Sequence, residues 1–169
     1  MRPLRRVLAL FALAILACSG PVEVPGEPPG AREYWVERSG SELEALLDQT
    51  CATAVAEDKP VLLAFSAPWC MDCRQVRILS VEEPLRSERE VWEEVVVHVG
   101  RFTRHRDLLE AFDVKAIAYW VALQPTSCDA PVTAWPVLRQ GTFEPLSNPN
   151  AGRTSVELAR WLREARGAG

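Results

Sequence analysis

The sequence has little of what marks several large functional classes. Only two of its nineteen basic residues are lysines, Lys59 and Lys115, and no patch combines basic with aromatic residues, so nucleic-acid binding is not expected. Thirteen prolines and nine glycines in 169 residues are too few for a collagen-like or low-complexity chain. The apolar run Val7–Ala17 has eleven residues, whereas a membrane-spanning helix needs about 20. With 48% hydrophobic residues, the length fits one globular domain of about 100–150 residues plus short appendages.

The N-terminus has the pattern of an export signal. Residues 1–17 place three arginines and no acidic residue ahead of the apolar run, which predicts a secretory signal peptide. The stretch Ile15-Leu16-Ala17-Cys18 extends one residue beyond this segment and resembles a bacterial lipobox. In a lipobox the cysteine is acylated. Lipid on Cys18 would anchor the protein to a membrane without a spanning helix. The alternative is that Cys18 is discarded with an ordinary signal peptide.

A spacer separates this anchor from the folded domain. Residues 19–30 contain four prolines and three glycines, a composition that disfavours both helix and sheet. We therefore expect a signal peptide over 1–17, a lipidated cysteine with its Pro/Gly-rich linker over 18–30, and one domain over 31–169. The expected location is the bacterial cell envelope, with the domain facing the periplasm.

Cys70 and Cys73 form a CxxC motif with two interpretations, a redox dithiol or half of a zinc site. The apolar run Val61–Phe65 upstream predicts a buried strand, and the apolar spacing downstream predicts a helix. Cys70 would then lie at a helix N-terminus, where unpaired N–H groups stabilise a thiolate. A zinc site would need a second close-spaced pair of ligands. The remaining candidates, Cys51, Cys128, His98 and His105, form none. The context therefore favours a redox dithiol and no metal.

The rest of the chain predicts alternating strands and helices. Capping-box pairs begin the first and last helices, and they are Ser41 with Glu44 and Thr154 with Glu157. The first helix covers 42–57 and follows a short edge strand over 33–37. Further strands are expected at 95–99 and 117–123, with a short helix at 104–112 between them. Gly141-Thr142 is expected to form a hairpin turn. The order βαβαββα fits a sheet covered by helices on both faces.

Three stretches of this pattern resemble the thioredoxin superfamily: KPVLLAFSAPWCMDC, VVVHVGRFT and LLEAFDVKAIAYWVAL. They are most similar to the C-terminal periplasmic domain of the thiol:disulfide interchange protein DsbD and its stand-alone relatives among thioredoxin-like lipoproteins. The resemblance implies an α/β thioredoxin-like fold of three layers, with a mixed central sheet flanked by helices. It also implies that Cys70 is the exposed attacking thiol, that Cys73 is the resolving thiol, and that no cofactor is needed.

Two positions depart from the family pattern. Where the family has a cis-proline facing the dithiol, this chain has Ala118. A cis bond before a residue other than proline costs about 2.5–4 kcal/mol, so we expect a trans peptide. Pro136 takes that place only if residues 116–133 are an insertion, and Ala118 is preferred because the next strand follows it directly. Where many thioredoxins bury an acidic residue beneath the dithiol, this chain has Ala64.

The resemblance also predicts which side chains contact a partner protein. These are Trp69, Met71, Asp72 and Ala118. The negative charge of Asp72 disfavours a thiolate at Cys70, whereas Arg74 and Arg77 one turn later oppose that effect.

Cys51 and Cys128 leave two alternatives open. Cys51 lies on the apolar face of a predicted helix and Cys128 in a proline-rich loop. Either the two form a structural disulfide or Cys51 is a buried free thiol, because connectivity cannot be deduced from a sequence alone.

We therefore expect an enzyme that reduces the disulfides of partner proteins and receives electrons from a membrane-embedded donor. One alternative is a redox-inert thioredoxin-like binding module. Another is a copper-delivery or cytochrome-assembly protein of the same fold, which would need a histidine or methionine beside the dithiol. Met71 is inside the motif, whereas His98 and His105 are expected to be structural.

Overall fold

The computed structural model describes residues 34–146 and 154–167. The predicted signal peptide, Cys18 and the linker over 18–30 lie outside the described residues. Within the described part of the chain, no helix combines the length and the apolar character that crossing a membrane requires.

Within residues 34–146, four strands form one mixed sheet in the spatial order β2-β1-β3-β4. They are β1 (Val61–Ser66), β2 (Glu93–His98), β3 (Tyr119–Leu123) and β4 (Val137–Thr142). β1 pairs with β2 in parallel and with β3 in antiparallel orientation, and β3 pairs with β4 in antiparallel orientation. Every residue of β1 is buried, as expected for a central strand covered on both faces.

In the part of the chain that the structure describes, five helices flank the sheet. They are α1 (Gly40–Glu57), α2 (Met71–Leu79), α3 (Leu85–Arg89), α4 (Arg106–Ala111) and α5 (Ser155–Arg166), with a 3₁₀ turn at Val132–Ala134. Helix α1 packs against β1 and β2, and α5 packs against α3 and β4. The parallel connection from β1 to β2 runs through α2 and α3, so the CxxC motif lies at the turn between β1 and the first crossover helix.

The two predicted capping boxes have different outcomes. Thr154 and Glu157 form the predicted box at the start of α5. Helix α1 begins earlier than predicted, because Ser39 and Glu42 form its capping box instead of Ser41 and Glu44. The earlier start adds a backbone hydrogen bond of 3.0 Å from the Leu43 N–H to the Ser39 carbonyl.

Two other predictions of local structure are wrong. Among described residues 34–37 there is no strand; Trp35 is held instead by its side chain, whose Nε1 donates to Ser66 Oγ at 2.8 Å. Gly141 and Thr142 belong to β4 and pair with β3, so they do not form a turn. The chain reverses between β3 and β4 in the loop over 124–136.

Candidate active site

Cys70 is the N-cap residue of α2, directly after the turn that follows β1. Its sulfur accepts the backbone N–H of Cys73 at 3.1 Å, one of the orphan donors of the helix start. Both cysteines are free thiols. Cys70 therefore lies at the N-terminus of α2 and Cys73 lies in its first turn, as the sequence predicts.

The two thiols differ in acidity. The pKa of Cys70 is lowered, first by the hydrogen bond from the Cys73 thiol and further by the backbone N–H of Cys73, while burial and the charge of Asp72 oppose this. Burial raises the pKa of Cys73, and its contact with Cys70 raises it further. Cys70 is therefore the sulfur that ionises first.

Cys70 is more recessed than the resemblance implies. The residue is 5% exposed and Cys73 is 1% exposed, so the expectation of an exposed attacking thiol is wrong. The cause is the segment before β3, because the Cys70 thiol donates to the Ile117 carbonyl at 3.3 Å. The ranking of the two thiols agrees with their expected roles, since Cys73 is the more deeply buried.

The Ile117–Ala118 peptide bond is cis, and the expectation of a trans bond is wrong. Ala118, rather than Pro136, therefore occupies the position that faces the dithiol. The expectation used the preference of an isolated peptide, whereas here the chain is held on both sides. The Ala118 carbonyl accepts from the Phe143 N–H at 2.9 Å, and the carbonyl before it faces the Cys70 sulfur.

Trp69 is fixed beside the dithiol by the loop after β2. Its Nε1 donates to the Gly100 carbonyl at 2.6 Å, and its ring lies 6.2 Å from that of Phe102. Gly100 has a φ of +59°, and a Cβ there would meet Thr103 Oγ1 at 2.9 Å, so both the backbone conformation and the close approach favour glycine. The loop thus orients Trp69, which stays 39% exposed.

The four predicted contact residues differ in accessibility. Trp69 and Met71 are exposed, the latter by 62%, whereas Asp72 and Ala118 are 8% and 3% exposed. Asp72 therefore acts on the site through its charge, which opposes ionisation of Cys70. The free surface beside the dithiol is formed by the aromatic and the thioether side chains.

Ser66 and Trp35 are site residues that the sequence analysis missed. The Ser66 hydroxyl accepts the Trp35 Nε1–H at 2.8 Å. This hydroxyl and the backbone N–H of Ala67 both lower the pKa of Cys73, although burial raises that pKa by more. Ala64 lies in β1 between Val96 and Trp120, so the position is apolar as expected. Ser66 is the one polar residue of β1 and directly precedes the turn, which is the signal that could have identified it.

The other two cysteines form a disulfide. Cys51 in α1 is bonded to Cys128, with Cα atoms 5.8 Å apart and a sequence separation of 77. The bond ties α1 to the loop over 124–136. This loop leaves the sheet after Leu123, which pairs with Val61 at the beginning of β1, whereas the dithiol follows the end of β1.

Neither histidine takes part in the hydrogen bonds given above for the Cys70 sulfur. His98 ends β2 with its Nδ1 3.9 Å from Glu37 Oε1, and burial lowers its pKa. His105 is the N-cap residue of α4. Within 34–146 and 154–167, no group of three or more histidine, cysteine or acidic side chains is arranged to hold a metal ion.

Two solved structures share this architecture. The chain is similar to a disulphide isomerase from Xylella fastidiosa Temecula1, with 19% identity, coverage of 77% of this chain and 95% of that chain, and a TM-score of 0.60. It is also similar to a thioredoxin from Thermus thermophilus, with 19% identity, coverage of 70% and 82%, and a TM-score of 0.52. No family model and no curated protein matches the chain. The likeness shows a thioredoxin-like fold, as the sequence resemblance predicts.

Proposed function

We propose that this protein is a thiol:disulfide oxidoreductase that reduces disulfides of partner proteins through Cys70 and Cys73. The observation that carries the proposal is the asymmetry of the two thiols. One sulfur caps a helix and has a lowered pKa, and the other lies deeper and has a raised pKa. A nucleophile and a resolving thiol need this difference.

In the first step the Cys70 thiolate attacks one sulfur of the partner's disulfide. A bond forms between Cys70 and that sulfur, the partner's S–S bond breaks, and the second partner sulfur leaves as a thiolate that takes a proton from solvent. The thiolate is stabilised before attack by the N–H of Cys73 at 3.1 Å. Trp69 and Met71 provide the exposed surface on which the partner would lie.

In the second step Cys73 loses its proton and attacks the Cys70 sulfur. The mixed disulfide breaks, a Cys70–Cys73 disulfide forms, and the partner leaves with both sulfurs reduced, so two electrons pass from the dithiol to the partner. Formation of the mixed disulfide removes the Cys70 charge, one of the causes that raise the pKa of Cys73. The Ser66 hydroxyl and the Ala67 N–H then remain as donors to the new thiolate.

The proposed direction is reduction. Asp72 supports it, because its charge disfavours the Cys70 thiolate and so favours the disulfide form of the protein, which makes the reduced form a better electron donor. For a two-electron couple, about 30 mV corresponds to 1.4 kcal/mol. A continuous cycle needs a dithiol donor to reduce the Cys70–Cys73 disulfide again.

The proposed setting is the bacterial cell envelope. The arginine-flanked apolar run and Cys18 support export and a lipid anchor, which would hold the domain at a membrane on its periplasmic side. A membrane-embedded protein is then the proposed source of electrons. The Cys51–Cys128 disulfide fits an oxidising compartment.

A trapping experiment tests the proposal. In a Cys73→Ser variant the second step is blocked, so the mixed disulfide between Cys70 and a partner accumulates and its partner can be identified by mass spectrometry. A Cys70→Ser, Cys73→Ser double variant is the matched control and should trap nothing. Equal trapping by both variants would contradict attack by Cys70.

A further inference from the structure

The basic side chains of this protein fall into two groups. Most lysines and arginines in the described part of the chain form ion pairs with carboxylates within 4.0 Å. Some arginines of the described residues form no such ion pair. They include Arg38, Arg74, Arg101 and Arg106.

Two of the unpaired arginines lie beside the dithiol. The Nε of Arg74 donates to the Pro68 carbonyl at 2.6 Å, and the guanidinium carbon of Arg101 lies 5.6 Å from the ring centroid of Trp69. Pro68 and Trp69 directly precede Cys70 in the chain. Both arginines are exposed, so two cations outside these ion pairs flank the reactive sulfur.

These arginines lie next to exposed apolar side chains. We define the dithiol face as Trp69, Met71, Arg74, Arg101 and Phe102. Trp69 and Met71 are 39% and 62% exposed, and the nearby carboxylate of Asp72 belongs to a residue that is only 8% exposed. The charge that this face presents to solvent is therefore positive.

The surface next to this face carries charges of both signs. Beyond Phe102 lies a cavity of about 240 Å³ whose lining carries both signs, with Arg106 and Lys115 against Glu110 and Asp113. The whole chain has a formal net charge of −4. A local positive face on an acidic protein orients an encounter, because a partner's carboxylates are attracted here and repelled elsewhere.

We propose that the dithiol face selects polypeptide segments in which the target disulfide is flanked by aspartate or glutamate. This inference rests on the proposed function and adds its substrate class. In the encounter the partner's carboxylates pair with Arg74 and Arg101, while an apolar residue of the segment packs on Trp69 and Met71. The paired carboxylates then hold the partner's sulfur over Cys70.

Three peptides with the same disulfide and with Glu, Gln or Lys at the flanking positions test this selection. The measurement is the second-order rate constant for oxidation of the reduced full-length protein. We expect the order Glu, Gln, Lys, with the Glu peptide faster than the Lys peptide by about fivefold at low salt. Raising the salt to roughly 0.5 M should bring this ratio close to one, because exposed charges are then screened.

Variants locate the effect on the protein. An Arg74→Gln, Arg101→Gln double variant should lose the preference, and Arg74→Lys, Arg101→Lys should keep it. Arg160→Gln is the matched control, since Arg160 is exposed on α5 and should leave the ratio unchanged. The ratio is insensitive to the thiolate fraction of Cys70, because that fraction affects all three peptides equally.

The outcomes separate the two proposals. If all three peptides are reduced at equal rates, or if the preference persists in the Gln double variant, the selection for acidic segments is wrong and disulfide reduction by the dithiol stands. If none of the peptides is reduced, the proposed function itself is contradicted.

Discussion

The protein contains two cysteine pairs whose surroundings assign them different chemistry. Cys70 and Cys73 are three residues apart, free, and placed at the start of α2. Cys51 and Cys128 are 77 residues apart and bonded, tying α1 to a loop. Cys128 belongs to the exposed surface, whereas Cys70 is only 5% exposed. The reactivity that we propose for Cys70 therefore rests on the hydrogen-bond donor at the start of α2 and not on the exposure of its side chain.

Substituting Cys70 and removing the bridged pair should have the most different effects on activity. Cys70→Ser should lower the rate of disulfide reduction by at least about a thousandfold, because Cys73 is too deeply buried and too weakly acidic to replace it. A Cys51→Ala, Cys128→Ala double variant should keep the native rate at 25 °C. Comparable losses in both variants, measured by reduction of insulin, would show that the pairs do not have separate roles.

Removing the bridged pair should instead lower stability. A disulfide that closes a loop of this length contributes about 4 kcal/mol, mainly through the entropy of the unfolded chain. The Cys51→Ala, Cys128→Ala variant should lose a free energy of unfolding of that size in urea, while Cys70→Ala, Cys73→Ala should lose much less. A loss below about 1 kcal/mol for the bridged pair would mean that the loop is held by its packing.

Ser66→Ala tests how the second thiol of the reactive pair is activated. The variant removes a donor to the Cys73 sulfur, so the mixed disulfide should resolve about tenfold more slowly, as expected for a hydrogen bond to a charged group. The first step should keep its rate. The rate of resolution increases with pH as Cys73 ionises. In the variant this increase should occur at a higher pH than in the native protein, because the pKa of Cys73 is raised further. Ser66→Thr keeps the hydroxyl and should restore the rate; a variant slowed only in the first step would contradict the assignment.

Asp72→Asn should give the smallest change. Loss of the carboxylate removes a charge that raises the pKa of Cys70, so alkylation of Cys70 at pH 7 should become faster by about threefold. The reduction potential should become less negative, because the reduced form is stabilised. Asp129→Asn, in the exposed loop, is the control. An unchanged potential in the Asp72 variant would remove the support that this residue gives to the reducing direction.

The sequence predicted the parts of the site that depend on local pattern. The apolar run predicted β1, and the helical spacing after the CxxC motif predicted a helix with Cys70 at its start. Thr154 and Glu157 predicted the start of α5. Each of these signals lies within a few residues of the structure it specifies, which is why the pattern was sufficient.

The features that were missed depend on contacts between distant parts of the chain. Trp35 reaches Ser66 across 31 positions, and the Ile117 carbonyl reaches Cys70 across 47. The recessed Cys70 and the cis bond before Ala118 lie where the segment before β3 meets the dithiol. Likewise, two alternatives for Cys51 remained until the loop was placed against α1.

The pH dependence of alkylation by iodoacetamide tests the central claim most directly. The reduced native protein, with the Cys51–Cys128 disulfide intact, should be labelled at Cys70 with a midpoint below that of a free cysteine, about 8.5, and should remain unlabelled at Cys73. Labelling of Cys70 that begins only in denaturant, or with a midpoint at or above that of the free amino acid, would contradict a reactive thiolate at the start of α2.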